Sequence, residues 1–242
     1  MVGISEQSAG SRGPAPLLSL YREMVRGRAV EDVIVRLADE RAFQGFYHPG
    51  VGQEAGPVGV CAHLRETDAL FYAHRGVAYL TAKGMDPVEI IGDFLGTTAG
   101  STRGLGAGTV HCVDPERGVY GQGGTLGSCF PLAAGVALAL RMQGRDDVAV
   151  AFFGDGASAR GTFLEAAVFA VAKALPVVFV CENNGFAISA TTRESQGVDS
   201  IAGRARGFGL PAETVDGTDV EAVWAAAGVA IGDVGLLIHG TT

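Results

Sequence analysis

Nowhere does this sequence string together the roughly 18 apolar residues that a membrane-spanning helix needs, although 48% of it is hydrophobic and its mean hydropathy is +0.27. A membrane span is not expected, and the apolar surplus reads instead as a subunit interface. Positive charge is scarce: 18 Lys and Arg stand against 26 Asp and Glu, a net charge of −8. A general nucleic-acid surface is therefore disfavoured, and a small molecule or a protein is the expected partner. Cysteine is sparse and scattered, because Cys61, Cys112, Cys129 and Cys181 show no CxxC or other ligand-like spacing. That pattern argues against structural zinc and a disulfide framework, and suits a reducing, cytoplasmic setting. Also missing are a GxGxxG fingerprint and a P-loop lysine, which weakens a nucleotide-binding regulatory module. Residues 1–16 lack the basic and apolar regions of a secretory signal; their Gly, Ser and Pro read as a disordered leader. A single α/β domain over residues 17–242 is the expectation that length allows.

Glycine is plentiful, with 37 residues, and it is clustered. Residues 17–42 repeat apolar positions at helical spacing with charges opposite, an entry helix. "GFYHPGVGQEA" then breaks that period, so residues 45–52 form a loop leading into a second helix. "DPVEIIGDFLG" reads as a short helix with Asp86 at its N-cap and Pro87 at the first helical position. Over residues 96–128 glycine is so dense that no regular element is expected, and the length points to a functional loop. A small-residue helix, "FPLAAGVALALRMQG", follows. "DVAVAFFG", "GTFLEAAVFAVAKAL" and "PVVFVCEN" then read as strand, helix and strand, a βαβ unit that implies a parallel sheet flanked by helices. A loop and a helix occupy residues 204–231, and "GLLIHGTT" is a last strand.

Two polar spots interrupt this apolar βαβ unit. Asp155 follows the first strand and Asn183 and Asn184 follow the second, beyond the carboxyl ends where parallel sheets bind ligands. A carboxylate and an amide oxygen are hard ligands that suit Mg²⁺, and Gly154 and Gly156 let the backbone approach a phosphate. Read singly, Asp155 could equally cap the next helix and Asn184 make a turn.

The sequence from "GDG" to the second Asn, 29 positions after Asp155, resembles the thiamine diphosphate motif. With "GFYHPGVGQEA", "KGMDP", "GQGGTLGSCFPLAAGVALAL", "ENNGFAIS" and "VDGTDV" in that order, residues 21–238 resemble the α subunit of 2-oxo acid dehydrogenase E1 components. The resemblance implies the thiamine diphosphate-binding fold, with Asp155, Asn184 and the Phe186 carbonyl on Mg²⁺ and Gly156 and Ala157 near the diphosphate. Arg75 would contact the diphosphate, Gly124 and Leu126 would contact the aminopyrimidine through their backbones, and His48 would stand close to the reaction centre. Without that match, His48 could simply bond to its own turn and Arg75 be a surface charge. The other histidines, His63, His74, His111 and His239, are read as structural, as are Glu54 and Glu182. The glutamate that activates the cofactor comes, in such enzymes, from a β-type subunit, which implies an α2β2 heterotetramer serving a lipoyl-type carrier.

The pattern is also broken in places. His74 stands where the family has Tyr, Val77 where it has His, and Ala159 and Val168 where it has Asn. Family members continue past the last strand into a Gly-His-Ser loop, so with Thr242 as last residue a missing loop histidine and a wider mouth are expected. A 2-oxo acid or acetoin is the expected donor; ketol transfer from a ketose phosphate and a non-catalytic stabilising role are the alternatives.

Overall fold

The structure is a computed structural model that describes residues 16–106 and 111–231, and the backbone of residues 235–240. The expected leader thus lies outside the described residues, save Pro16. The chain opens with α1 (Leu17–Asp39), which buries Leu20, Val30 and Ile34 along one stripe. After a loop come α2 (Ala55–Cys61), β1 (Ala69–Phe71), α3 (Ala78–Ala82) and α4 (Pro87–Phe94). Asp86 caps α4 by accepting from the Val88 N–H, with Pro at the first turn as expected.

The glycine-rich region departs from its expectation. It holds a 3₁₀ turn (Pro115–Arg117) and a strand, β2 (Val119–Gly121), which pairs in parallel with β1. Both strands are three residues long, too short for a period to show. Next come α5 (Cys129–Met142), β3 (Ala149–Gly154), a 3₁₀ turn (Asp155–Ala159), α6 (Gly161–Lys173) and β4 (Val177–Asn183). A small antiparallel hairpin, β5 (Phe186–Ala187) and β6 (Ala190–Thr191), leads into α7 (Thr192–Gln196) and α8 (Ile201–Gly207). The segment read as loop before the last helix contains β7 (Ala212–Asp216), followed by α9 (Val220–Ala230) and β8 (Gly235–Gly240).

Six parallel strands run in the order β2-β1-β3-β4-β8-β7. Successive strand residues point to opposite faces. Leu70, Val150, Phe152, Val178 and Val180 therefore pack in one cluster with residues of α1, α2, α3, α4 and α9. Phe71, Ala149, Ala151, Phe153, Phe179 and Cys181 pack in another with α5, α6 and α8. In the second cluster Phe130 touches Phe153, Phe163 and Phe179 with centroids 4.7 to 6.0 Å apart, separations at which edge-on ring pairs attract. Among the described residues no helix is long and apolar enough to cross a membrane. The chain passes from β1 to β2 on one side and then to β3 on the other, so a topological switch point lies between β1 and β3.

Candidate functional site

Strand register sets the site. Gly154 pairs with Glu182 across β3 and β4, so Asp155 and Asn184 leave neighbouring strands at nearly the same level, with strand axes about 4.8 Å apart. β1 lies on the other side of β3 and delivers Ala73, His74 and Arg75 to the same end of the sheet. A cavity of about 280 Å³ opens there, lined by His48, Arg75, Leu126, Asp155, Gly156, Ala157, Asn184 and Phe186. It spans the switch point. Gly124 is the exception, since it is exposed on the loop between β2 and α5 and nothing lies within 4 Å of where its Cβ would be. Its neighbours Gly123 and Thr125 line a smaller cavity that shares Leu126, Gly154 and Ala157 with the larger one.

Asp155 is 2% exposed. It does not cap α6, whose N-terminus has no side-chain cap; its Oδ2 accepts a 2.5 Å bond from the Thr192 hydroxyl instead. Asn184 does make a turn, its Oδ1 accepting from the Phe186 N–H at 3.0 Å. An amide oxygen has two lone pairs, so that turn leaves one free. Gly156 is required by crowding: a Cβ there would stand 2.7 Å from the Cβ of Ala187 on β5.

The loop carrying His48 is seated by contacts that the sequence did not disclose. Gly50 and Gly76 approach so closely that a Cβ on Gly50 would lie 2.9 Å from Gly76 Cα. That approach lets the Gly76 N–H reach the His48 carbonyl at 3.1 Å and Arg75 reach the Pro49 carbonyl at 3.2 Å. Beneath them the buried Glu31 of α1 accepts from the Gly50 N–H and the Tyr47 hydroxyl, at 2.5 and 2.7 Å. Burial pushes the Glu31 carboxyl above its ordinary range, against both bonds.

Two residues read as structural line the cavity. His74 meets His48 edge to face with centroids 5.4 Å apart. Burial, with His48 and Arg75 nearby, lowers its pKa, which favours the neutral imidazole. Glu182 is buried beside Tyr79, whose hydroxyl donates to Oε2. Burial raises its carboxyl to about 7, with Tyr79 and Arg75 opposing. Gln53 and Ile188 also line the cavity, Ile188 fully exposed and at a left-handed φ of 59°. Glu54 pairs with Arg28 at 2.6 Å, and the His63 ring lies tilted against Trp224 with centroids 4.9 Å apart and bonds its carbonyl at 2.8 Å. The His239 side chain lies outside the described residues.

Comparison with known proteins gives this arrangement a family. The α subunit of acetoin:2,6-dichlorophenolindophenol oxidoreductase from Cupriavidus necator is 43% identical over 218 residues, covering 89% of this chain and 64% of that protein. The Bacillus subtilis protein of the same name is 40% identical, with 88% and 64% covered. The pyruvate dehydrogenase E1 component subunit alpha of Zymomonas mobilis is 35% identical, with 89% and 61% covered. The chain thus spans a little under two thirds of the length of these relatives. In fold it is similar to a solved structure described as a thiamin diphosphate-dependent enzyme from Mycobacterium smegmatis, with a TM-score of 0.50, 22% identity, and 78% and 31% of the chains covered. The model of the dehydrogenase E1 component family matches residues 22–233, and the chain belongs to that family.

Proposed function

We propose that this chain is the α-type subunit of a thiamine-diphosphate-dependent enzyme that cleaves acetoin or a 2-oxo acid and hands the acyl fragment to a lipoyl-type carrier. The observation that carries the reading is the gathering of His48, Arg75, Asp155, Gly156, Asn184 and Phe186 around one cavity at the switch point. Among the described residues no three His, Cys, Asp or Glu side chains form an all-protein metal cage. One carboxylate, one amide oxygen and one main-chain carbonyl are instead the partial set of hard oxygens that suits Mg²⁺, which completes its octahedron with water and phosphate oxygens. Asp155, Asn184 and the Phe186 carbonyl would hold that ion, and Arg75 would pair with the diphosphate through its fixed fork of donors. Gly156 and Ala157 would let the backbone close on the phosphates. When bound, thiamine diphosphate supplies the electron sink that allows a bond beside a carbonyl to break.

On the donor, acetoin is favoured over a 2-oxo acid by the cavity's charge as well as by the identities. Among the described residues Arg75 is the one permanent cation in the lining, and its proposed role is to pair with the diphosphate. His48 and the neutral His74 beside it would hydrogen-bond a carbonyl or hydroxyl without needing a carboxylate. The side chains of Phe46, Leu126, Phe186 and Ile188 are exposed at or beside the mouth, an apolar rim for a second subunit to cover.

Calorimetry of the chain purified with its second subunit tests the metal site. Asp155→Ala and Asn184→Ala are each expected to abolish magnesium-dependent thiamine diphosphate binding with the fold retained. Unchanged affinity in both variants would remove the assignment.

A further inference from the structure

Asp155 is held from two sides by α7, an element 37 or more residues further along the chain. The Thr192 hydroxyl donates to Asp155 Oδ2 at 2.5 Å, and the Gln196 side-chain amide donates to the Asp155 carbonyl at 2.6 Å. The other end of that Gln196 side chain accepts from the Ser158 hydroxyl at 2.8 Å. Arg204 of α8 then ties the Ser158 carbonyl at 2.5 Å. The first turn of α7 is fixed by a reciprocal cap, in which Thr191 Oγ1 accepts from the Glu194 N–H and Glu194 accepts from the Thr191 N–H. Among the described residues Thr192 is the one hydrogen-bond donor to the Asp155 carboxylate.

We infer that Thr192 and Gln196 are positioning residues that hold Asp155 as a one-oxygen ligand and so set the site's preference for a small cation. The inference rests on the reading of Asp155 as a metal ligand. A carboxylate can offer a cation one oxygen or both. With one lone pair of Oδ2 taken by the Thr192 hydroxyl, Oδ1 is the less encumbered oxygen, and the carboxylate's direction is fixed at both the side chain and the main chain. Mg²⁺ demands a near-ideal octahedron at about 2.0–2.1 Å, whereas Ca²⁺ accepts two-oxygen carboxylates and looser geometry. Removing the hydroxyl lets the carboxylate turn to present both oxygens, and removing the Gln196 amide lets the turn drift. Both changes penalise Mg²⁺ more than Ca²⁺.

The test is calorimetric titration of thiamine diphosphate in Mg²⁺ or Ca²⁺, using the chain purified with its second subunit. Thr192→Val and Gln196→Leu are each expected to lose about tenfold or more in Mg²⁺-supported affinity, the usual effect of removing a group that orients a metal ligand. Their Ca²⁺-supported affinity should fall by clearly less, and Thr192→Ser, which keeps the hydroxyl, should restore the wild-type preference. Urea midpoints matching wild type identify the folded variants, and Thr192→Ser supplies the comparison if the valine variant misfolds. An equal loss for both ions, or no loss in either folded variant, would overturn the inference while leaving the metal site standing, provided Asp155→Ala abolishes binding. Wild-type binding by Asp155→Ala would instead bring down the metal reading itself, and this inference with it.

Discussion

Glu182 keeps a proton that water would remove. Its carboxyl sits near 7 because burial disfavours the charge more than Tyr79 and Arg75 favour it. In the unfolded chain the same group titrates at about 4.5. A folded value above the unfolded one means that the stabilising contribution is complete below about 4.5 and is lost as pH rises to about 7. The size of that loss is on the order of 3 kcal/mol. Glu182→Gln replaces the neutral acid with a neutral isostere whose oxygen still accepts from Tyr79, so it should remove this dependence. Urea midpoints between pH 4.5 and 8 are expected to fall in the wild type and to fall by less in the variant. Parallel curves would show that Glu182 is already ionised at pH 5. At this scale the sequence disclosed Asp155 and Asn184, because each follows a recognisable strand and so has a fixed direction. It did not disclose Glu182, His74, Thr192 or Gln196, whose directions depend on which distant elements pack against them.

At the scale of elements, what was legible was what carried its own period. The βαβ unit from β3 to β4, the entry helix and the capped α4 were readable because apolar spacing or cap chemistry lies within a dozen residues. β1 and β2 were not, being three residues each, and β7 was not because its residues are only partly buried and show no alternation. Packing between helices was equally hidden, and two glycines show why. Gly59 of α2 faces α9 so closely that a Cβ would stand 2.8 Å from Val223 Cγ1 and 3.2 Å from the Trp224 nitrogen. Val223 is fully buried and branched, so it has no room to yield. Gly59→Ala should therefore destabilise the chain by about 1–3 kcal/mol, read as a lower urea midpoint at unchanged slope. Gly135 in α5 is exposed and nothing lies within 4 Å of its would-be Cβ. Gly135→Ala should stabilise the isolated chain, by up to about 1 kcal/mol, through helix propensity alone. Equal effects from the two substitutions would mean that the α2–α9 contact does not constrain the fold.

For the molecule as a whole, the decisive feature is how much of the site faces outward. Among the described residues the carboxyl groups in the cavity wall are those of Asp155 and Glu182. Asp155 has the proposed role of metal ligand, and Glu182 is buried against Tyr79. Neither is available to hydrogen-bond the far end of a bound thiamine diphosphate and drive its ionisation, a task that needs a positioned acid–base group. The wall also ends in exposed apolar side chains, with Ile188 fully exposed beside Phe186. Away from the mouth, Leu132 of α5 and Leu164, Val168 and Phe169 of α6 are exposed as well. Apolar area left in water at both places favours a second surface that buries it. The chain alone should therefore turn over neither acetoin nor pyruvate, while the chain purified with its second subunit should be active. Leu132→Asp with Val168→Asp should weaken that association far more than it lowers the urea midpoint of the isolated chain, because both side chains are about half exposed before any partner binds. Size-exclusion chromatography with light scattering reads the association, and a dye-reduction assay reads the turnover. Full activity from the single polypeptide, with no second chain found by mass spectrometry, would show that this cavity is a complete active site.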